Sequence, residues 1–196
     1  MQLQITTAIP ELNPLVVQTQ INLVYQRLLR EYKWNFLKAH DFLTTFAPYT
    51  TGTVTVSNGS TAVVGAGGAA FVTAGVAVGD YVRFGAAGVE KNFYEIATVT
   101  DNTNLVLSDA YVGALTSGAA YSIFRTIYNL ATDFSEFISI GHESPIHEVS
   151  STYLNFDDPL RETSGKPTRY VMRGQTAAGV KKVEFYPNPA AKYLIY

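Results

Sequence analysis

Two His-Glu pairs, His142-Glu143 and His147-Glu148, stand five residues apart on either side of Ser144-Pro145. They are the first place to look for metal or acid-base chemistry. A helical zinc site needs two histidines four apart on one face, with a carboxylate between them. Pro145 breaks any such helix, so only a loop could bring both imidazoles to one ion, and no third ligand stands nearby. Asp157-Asp158 with Glu162 lacks the alternating acids of a calcium loop and reads as a helix end beside Arg161. Gly65-Ala66-Gly67-Gly68 invites a phosphate-loop reading, but Ala69-Ala70-Phe71 stands where a Lys and a Ser/Thr are required. No helical pattern follows, and a flexible loop between strands is expected there. His40-Asp41 has no nucleophile elbow beside it. No catalytic, cofactor-binding or metal-ligating residue is nominated, and no enzyme is expected.

Charge and composition narrow the class further. The chain of 196 residues contains 14 Lys and Arg against 16 Asp and Glu, a formal net charge of −2. Charged residues make up 15%, well below the ~25% usual in soluble domains. Thr, Ser, Asn, Gly and Ala must cover much of the surface, or neighbouring subunits must bury it. Arg161, Lys166, Arg169, Arg173, Lys181, Lys182 and Lys192 form a loose basic group. It reads first as a solvated strand face, and second as a docking surface or a lining for passing DNA. The absence of cysteine excludes disulfides and thiolate chemistry. No run approaches the ~20 apolar residues of a membrane span, and Met1 to Pro10 is not a signal peptide.

The elements that must carry these residues fall into three segments. In residues 1–50, Asn13-Pro14 predicts a helix start. Val17, Ile21, Val24 and Leu28 then form an apolar stripe at helical spacing. Trp34 to Lys38 reads as a strand, with Trp34 and Phe36 expected in the core beside that stripe. Residues 51–125 are rich in Gly, Ala and Thr. Alternating runs flank Asn58-Gly59, predicting a tight two-residue hairpin. Further strands are expected at Asp80–Phe84, Phe93–Thr100, Asn104–Leu107 and Ala120–Phe124. This segment reads as an inserted all-β barrel or sandwich. Its ends, Tyr49-Thr50 and Arg125-Thr126, are expected to lie close together, and its glycine loops 65–68 and 85–88 to be mobile or bound by neighbours. Its replacement by a short linker is expected to leave the rest folded. In residues 126–196, an ambiguous element at Asp133–Ile138 and a short helix at Ser150–Asp158 precede three antiparallel strands: Arg169–Arg173, Lys182–Tyr186 and Tyr193–Tyr196. An apolar strand is an unusual way for a chain to end and is compatible with a continuation beyond Tyr196. The expected fold is α+β: an N-terminal helix packed with antiparallel strands in 1–50 and 126–196, plus the inserted module 51–125.

Four stretches carry a resemblance. They are Tyr25 with Arg30-Glu31-Tyr32-Lys33-Trp34-Asn35-Phe36-Leu37, then Tyr128 to Phe134, then Asp158-Pro159-Leu160-Arg161 with Gly165 to Tyr170, and Val183 to Tyr193. In this order they resemble the head-to-tail adaptor proteins of tailed bacteriophages. The stretch Thr51–Ser60 with Tyr94-Glu95-Ile96 resembles a β-insertion of phage tail and neck proteins. The resemblance implies a virion structural protein, assembled in the host cytoplasm. It implies a homo-oligomeric ring, commonly a dodecamer, between the portal and the tail or nozzle proteins. Double-stranded DNA would pass through its lumen without sequence-specific binding, and fibre or collar proteins could attach through residues 51–125. It implies no cofactor and no membrane. The competing reading is a β-rich binding or adhesin module of a tail or fibre, which exposed aromatics in one concave patch of residues 51–125 would favour.

Overall fold

The computed structural model describes residues 13–31, 38–85, 92–114 and 116–196. They separate into two compact units, Met1–Asp41 and Phe42–Tyr196. The chain is α+β and mostly β, with one long helix near its N-terminus.

In the first unit, α1 spans Pro14–Glu31. Its start follows the local signals: the Asn13 Oδ1 accepts a hydrogen bond from the Leu15 N–H at 2.9 Å, and Pro14 fills the first helical position. The apolar stripe is not a buried face. Val17 is buried, but Val24 is 56% and Leu28 44% exposed. Trp34 and Phe36 lie outside the described residues.

The second unit begins with β1 (Leu43–Thr44), β2 (Thr53–Val56), β3 (Ala62–Ala66) and a single helical turn, α2 (Phe71–Ala74). Then come β4 (Tyr81–Phe84), β5 (Tyr94–Val99), β6 (Asn104–Leu107), β7 (Thr116–Ala119) and β8 (Tyr121–Phe124). Seven of these strands form one antiparallel sheet in the order β7-β2-β3-β6-β5-β4-β8. The two edge strands, β7 and β8, are separated in sequence by Ala120 alone. One stretch of chain therefore pairs with β2 by its first half and with β4 by its second, and the sheet curls on itself. The period of two places Val54, Val56, Val63, Val82, Phe84 and Ile96 inside, each no more than 1% exposed.

Two local expectations are met only in part. Asn58-Gly59 does sit at the centre of a tight turn between β2 and β3, closed by the Ser60 N–H donating to the Ser57 carbonyl at 3.0 Å. Only Gly59 takes a positive φ, of 78°, and the register Val56↔Val63 leaves Ser57–Ala62 between the strands. The loop is also held by Tyr111, whose carbonyl accepts from the Gly59 N–H at 2.8 Å and whose N–H donates to the Ser60 carbonyl at 2.9 Å. Gly65 is not in a mobile loop but inside β3, facing the Phe71 ring. A Cβ there would sit 3.0 Å from that ring and 2.8 Å from the Ala69 Cβ. Of the second glycine loop, residues 86–88 lie outside the described residues.

The remaining elements are β9 (Ile127–Asn129), β10 (Gly141–His142), β11 (Ser144–Pro145), β12 (His147–Glu148), α3 (Ser151–Asp157) and β13 (Ser164–Gly165). They are followed by β14 (Arg169–Gln175), β15 (Lys181–Tyr186), β16 (Asn188–Pro189) and β17 (Leu194–Ile195). The expected hairpin forms between β14 and β15, inside a four-stranded sheet of order β12-β14-β15-β9. The last strand does not join it: β17 pairs with β1, from the other end of the unit. Ser150 caps α3, its hydroxyl accepting from the Tyr153 N–H at 3.1 Å.

The ends of residues 51–125 do meet. Tyr49 and Ile123 exchange backbone hydrogen bonds of 2.8 and 2.9 Å. The hydrophobic core nevertheless crosses these boundaries without a break, from Val54, Phe71 and Phe84 to Tyr128, Phe185 and Ile195.

Candidate functional site

Residues directly opposite in an antiparallel pair share a face. Tyr170↔Phe185 and Met172↔Val183↔Tyr128 therefore define one face of the four-stranded sheet, and Val171↔Glu184 and Arg169↔Tyr186 the other. The two faces carry different chemistry.

On the Glu184 face lies a buried ionic network. The Glu184 side chain is 3% exposed. One carboxylate oxygen accepts from the Arg161 Nε at 2.7 Å, and the other accepts from the Arg173 Nε. Both guanidinium groups also donate to the Asn155 Oδ1, at 2.6 and 3.2 Å. Arg161 further donates to the Asp158 and Leu154 carbonyls, and its own carbonyl accepts from the Asn188 Nδ2 at 2.5 Å. Arg161 takes a left-handed backbone conformation with φ 54°, which costs a non-glycine residue about 1–2 kcal/mol. The network holds it there. Leu154 of α3 packs beside it on Val171 and Tyr186. Arg161 is thus a buried structural cation, not part of a solvated strand face.

On the opposite face is an open cleft of about 450 Å³. Tyr170 and Met172 of β14 and Lys181 of β15 supply its floor, and Phe134 and Phe137 its wall. The rings meet edge to face, at 4.6 Å between Phe134 and Phe137 and 5.0 Å between Phe137 and Tyr170. The Lys181 ammonium lies 5.4 Å from the Phe134 centroid and donates to the Ser135 carbonyl at 2.5 Å. At the rim, the Tyr170 hydroxyl donates to Glu148 at 3.4 Å. Burial, and then the Glu148 charge, push the Tyr170 hydroxyl above its ordinary pKa. The apolar walls and opposed rim charges suit an aromatic side chain better than a phosphate or a metal.

The residues singled out for chemistry do not converge on a reaction centre. His142 places its Nδ1 2.9 Å from the Leu194 carbonyl and its ring against Tyr193. Glu143 is paired with Lys166 at 2.6 Å. His147 is exposed in β12, its backbone N–H bonded to the Thr168 carbonyl. Asp158 accepts from the backbone N–H groups of Glu162 and Thr163 at 2.9 and 2.8 Å. Burial pushes its carboxyl up, but the donors from Thr163 and Glu162 outweigh this and hold it below the usual range. His40 and Asp41 are exposed. Among the described residues, no three His, Asp or Glu side chains are grouped to hold a metal. Nor is any helix among them long and apolar enough to cross a membrane.

Aromatics within residues 51–125 serve mainly as interior packing. Phe71, Phe84, Tyr94, Tyr111 and Tyr121 are buried. Tyr81 and Phe93 are half-buried and stack around Phe124. Sequence reasoning missed two charged groups here. Asp80, 1% exposed, accepts from Arg125 at 2.6 and 2.9 Å, and the Arg125 guanidinium lies 4.8 Å from the Phe46 ring centroid. No local pattern marks an acid whose partner stands 45 residues away.

No family model, curated protein or solved structure matches this chain.

One buried phenol gives a pH test of the core. The Tyr128 hydroxyl donates to the Arg125 carbonyl at 3.1 Å and accepts from the Phe46 N–H at 3.0 Å. Burial pushes its pKa up to about 12. Unfolded tyrosine loses its proton near pH 10, so above that the unfolded state binds fewer protons than the folded one and stability falls as pH rises. The urea midpoint is expected to decline between about pH 10 and 12, and Tyr128→Phe to flatten that decline. An unaltered slope in Tyr128→Phe would contradict this assignment.

Proposed function

We propose that this chain is a virion structural protein that works as one subunit of a head-to-tail adaptor ring between portal and tail. The observation that carries the reading is where the motif-bearing segments lie. Tyr128-Asn129 is in β9, Arg169-Tyr170 in β14 and Val183–Tyr186 in β15, three neighbouring strands of one sheet. Asp158–Arg161 is the loop tied to that sheet through Glu184. Segments more than 50 residues apart in the chain thus build one sheet. The surface supports the same reading. Phe156 is 90%, Val112 73% and Val78 66% exposed, on a chain only 15% charged. Apolar groups left outside in this way suit burial between subunits.

In this reading the curled sheet is a small β-barrel module carried on the outside of the ring, available to fibre or collar proteins. Double-stranded DNA passes through the lumen without base readout. Negative-stain microscopy of the purified protein and of particles is the test. Rings, and labelling at the neck, are expected. Labelling at a fibre tip would overturn the adaptor reading in favour of a β-rich adhesin.

A further inference from the structure

We propose that Phe156 of one copy inserts into the Phe134–Phe137–Tyr170 cleft of the next copy, a head-to-tail contact that rests on the ring reading above and specifies its interface. Leu154 is fully buried against the sheet, and a helix turns about 100° per residue. Phe156, two positions on, therefore points away from the sheet, which accounts for its 90% exposure. It is flanked by charge of both signs. Arg169 lies 3.7 Å from Asp157 and stacks 5.1 Å from the Tyr153 ring centroid.

The cleft offers the complement. Its walls are aromatic edges and the Met172 side chain, surfaces on which a phenyl ring packs edge to face. A volume of about 450 Å³ admits a benzyl group and the turn that carries it. Lys181 on its floor and Glu148 at its rim are opposite in sign to Asp157 and Arg169. An exposed aromatic beside an arginine, facing a preformed apolar pocket, is the composition of an interface hot spot.

The occupant is a second copy because of where the two features stand. Knob and cleft are on opposite faces of the same sheet, with β14 and β15 between them. A chain cannot fill its own cleft. Because knob and cleft lie on opposite faces, contact between successive copies is heterologous, and such contacts close into rings or run on as filaments, whereas a reciprocal two-fold exchange would stop at the dimer.

The chain contains no cysteine, so an engineered pair reports the contact directly. Thr152→Cys, one helical turn before Phe156, with Gln175→Cys, both at exposed positions, keeps the Phe156 ring and is expected to give a ladder of cross-linked oligomers on a non-reducing gel under copper phenanthroline. An equimolar mixture of the two single variants is expected to stop at dimers. In sedimentation velocity, Phe156→Ala should weaken self-association at least ten-fold. A mixture of Phe156→Ala and Gln175→Trp chains, each retaining one good surface, should recover dimers only. A thermal melt equal to wild type establishes that each variant is folded. No ladder, together with wild-type sedimentation of Phe156→Ala, overturns the proposal. If rings persist in micrographs of Phe156→Ala, the contact is overturned while the ring reading stands. If the ladder forms but the assemblies are open filaments, the contact stands and the ring reading fails.

Discussion

Glu184→Ala is expected to lower the free energy of unfolding by about 3–5 kcal/mol, the cost of breaking a buried ion pair from one side. The carboxylate is 3% exposed and serves two guanidinium groups at once. Removing it leaves Arg161, itself 9% exposed, as an uncompensated buried cation beside Arg173. It also releases the residue that holds a left-handed backbone in the loop after α3. Glu184→Gln retains the volume but loses the charge, and is expected to stay closer to the alanine variant than to wild type. Urea denaturation at neutral pH makes the measurement. A loss below about 1 kcal/mol, as for an exposed ion pair, would mean that water reaches the network. Asn155 links both arginines to α3, so any folded fraction of Glu184→Ala should also present Phe156 less well and associate more weakly.

Replacing residues 51–125 with a short Gly-Ser linker is expected to abolish the cooperative thermal transition, rather than leave the remaining segments folded. Tyr49 and Ile123 are close enough for a linker to join the ends. Closing the loop does not restore what the excision removes. Tyr49 loses Phe71 and Tyr121, whose ring centroids lie 6.3 and 6.1 Å away, and its hydroxyl loses the Ala70 N–H. Phe46 loses the Arg125 guanidinium above it, and the Leu160 carbonyl loses the Arg83 donor at 2.7 Å. The shared core would open along its whole length, and each large apolar side chain stripped of its packing costs several kcal/mol. Against the 5–15 kcal/mol by which domains are stable, that sum is decisive. Near-ultraviolet circular dichroism during a thermal melt makes the measurement. A retained sigmoidal transition with an ordered aromatic signal would show that residues 51–125 fold as a separable insertion.

These two results concern interactions of very different legibility. Whatever depends on a local period or a capping group could be read from the chain. Asn13-Pro14 opens α1, Ser150 caps α3, and the alternation in Thr53–Val56, Tyr81–Phe84 and Asn104–Leu107 marks strands with one buried face. The β14–β15 hairpin was equally plain, because both strands and their turn lie within 20 residues. These signals are set by backbone sterics and by the side of the chain that must leave water, and neighbours a few residues away suffice to express them.

Pairing and burial over long distances were decided only by the tertiary structure. Nothing in Leu194-Ile195 names Leu43-Thr44 as its partner, and nothing in Thr116–Phe124 announces a stretch that bends at Ala120 to join both edges of one sheet. Asn58-Gly59 marks the tight turn that it forms, but not the hydrogen bonds that Gly59 and Ser60 make with Tyr111. Gly65 looks like a loop residue until the Phe71 ring is set against it. Glu184 is the clearest case. It stands in one strand with Lys181 and Lys182, and only the arrival of Arg161 and Arg173 makes its burial possible. The same holds for the cleft and its knob. Phe134, Phe137 and Phe156 are ordinary apolar residues in sequence, and the sheet between them decides that one set forms a hollow while the other is left in water.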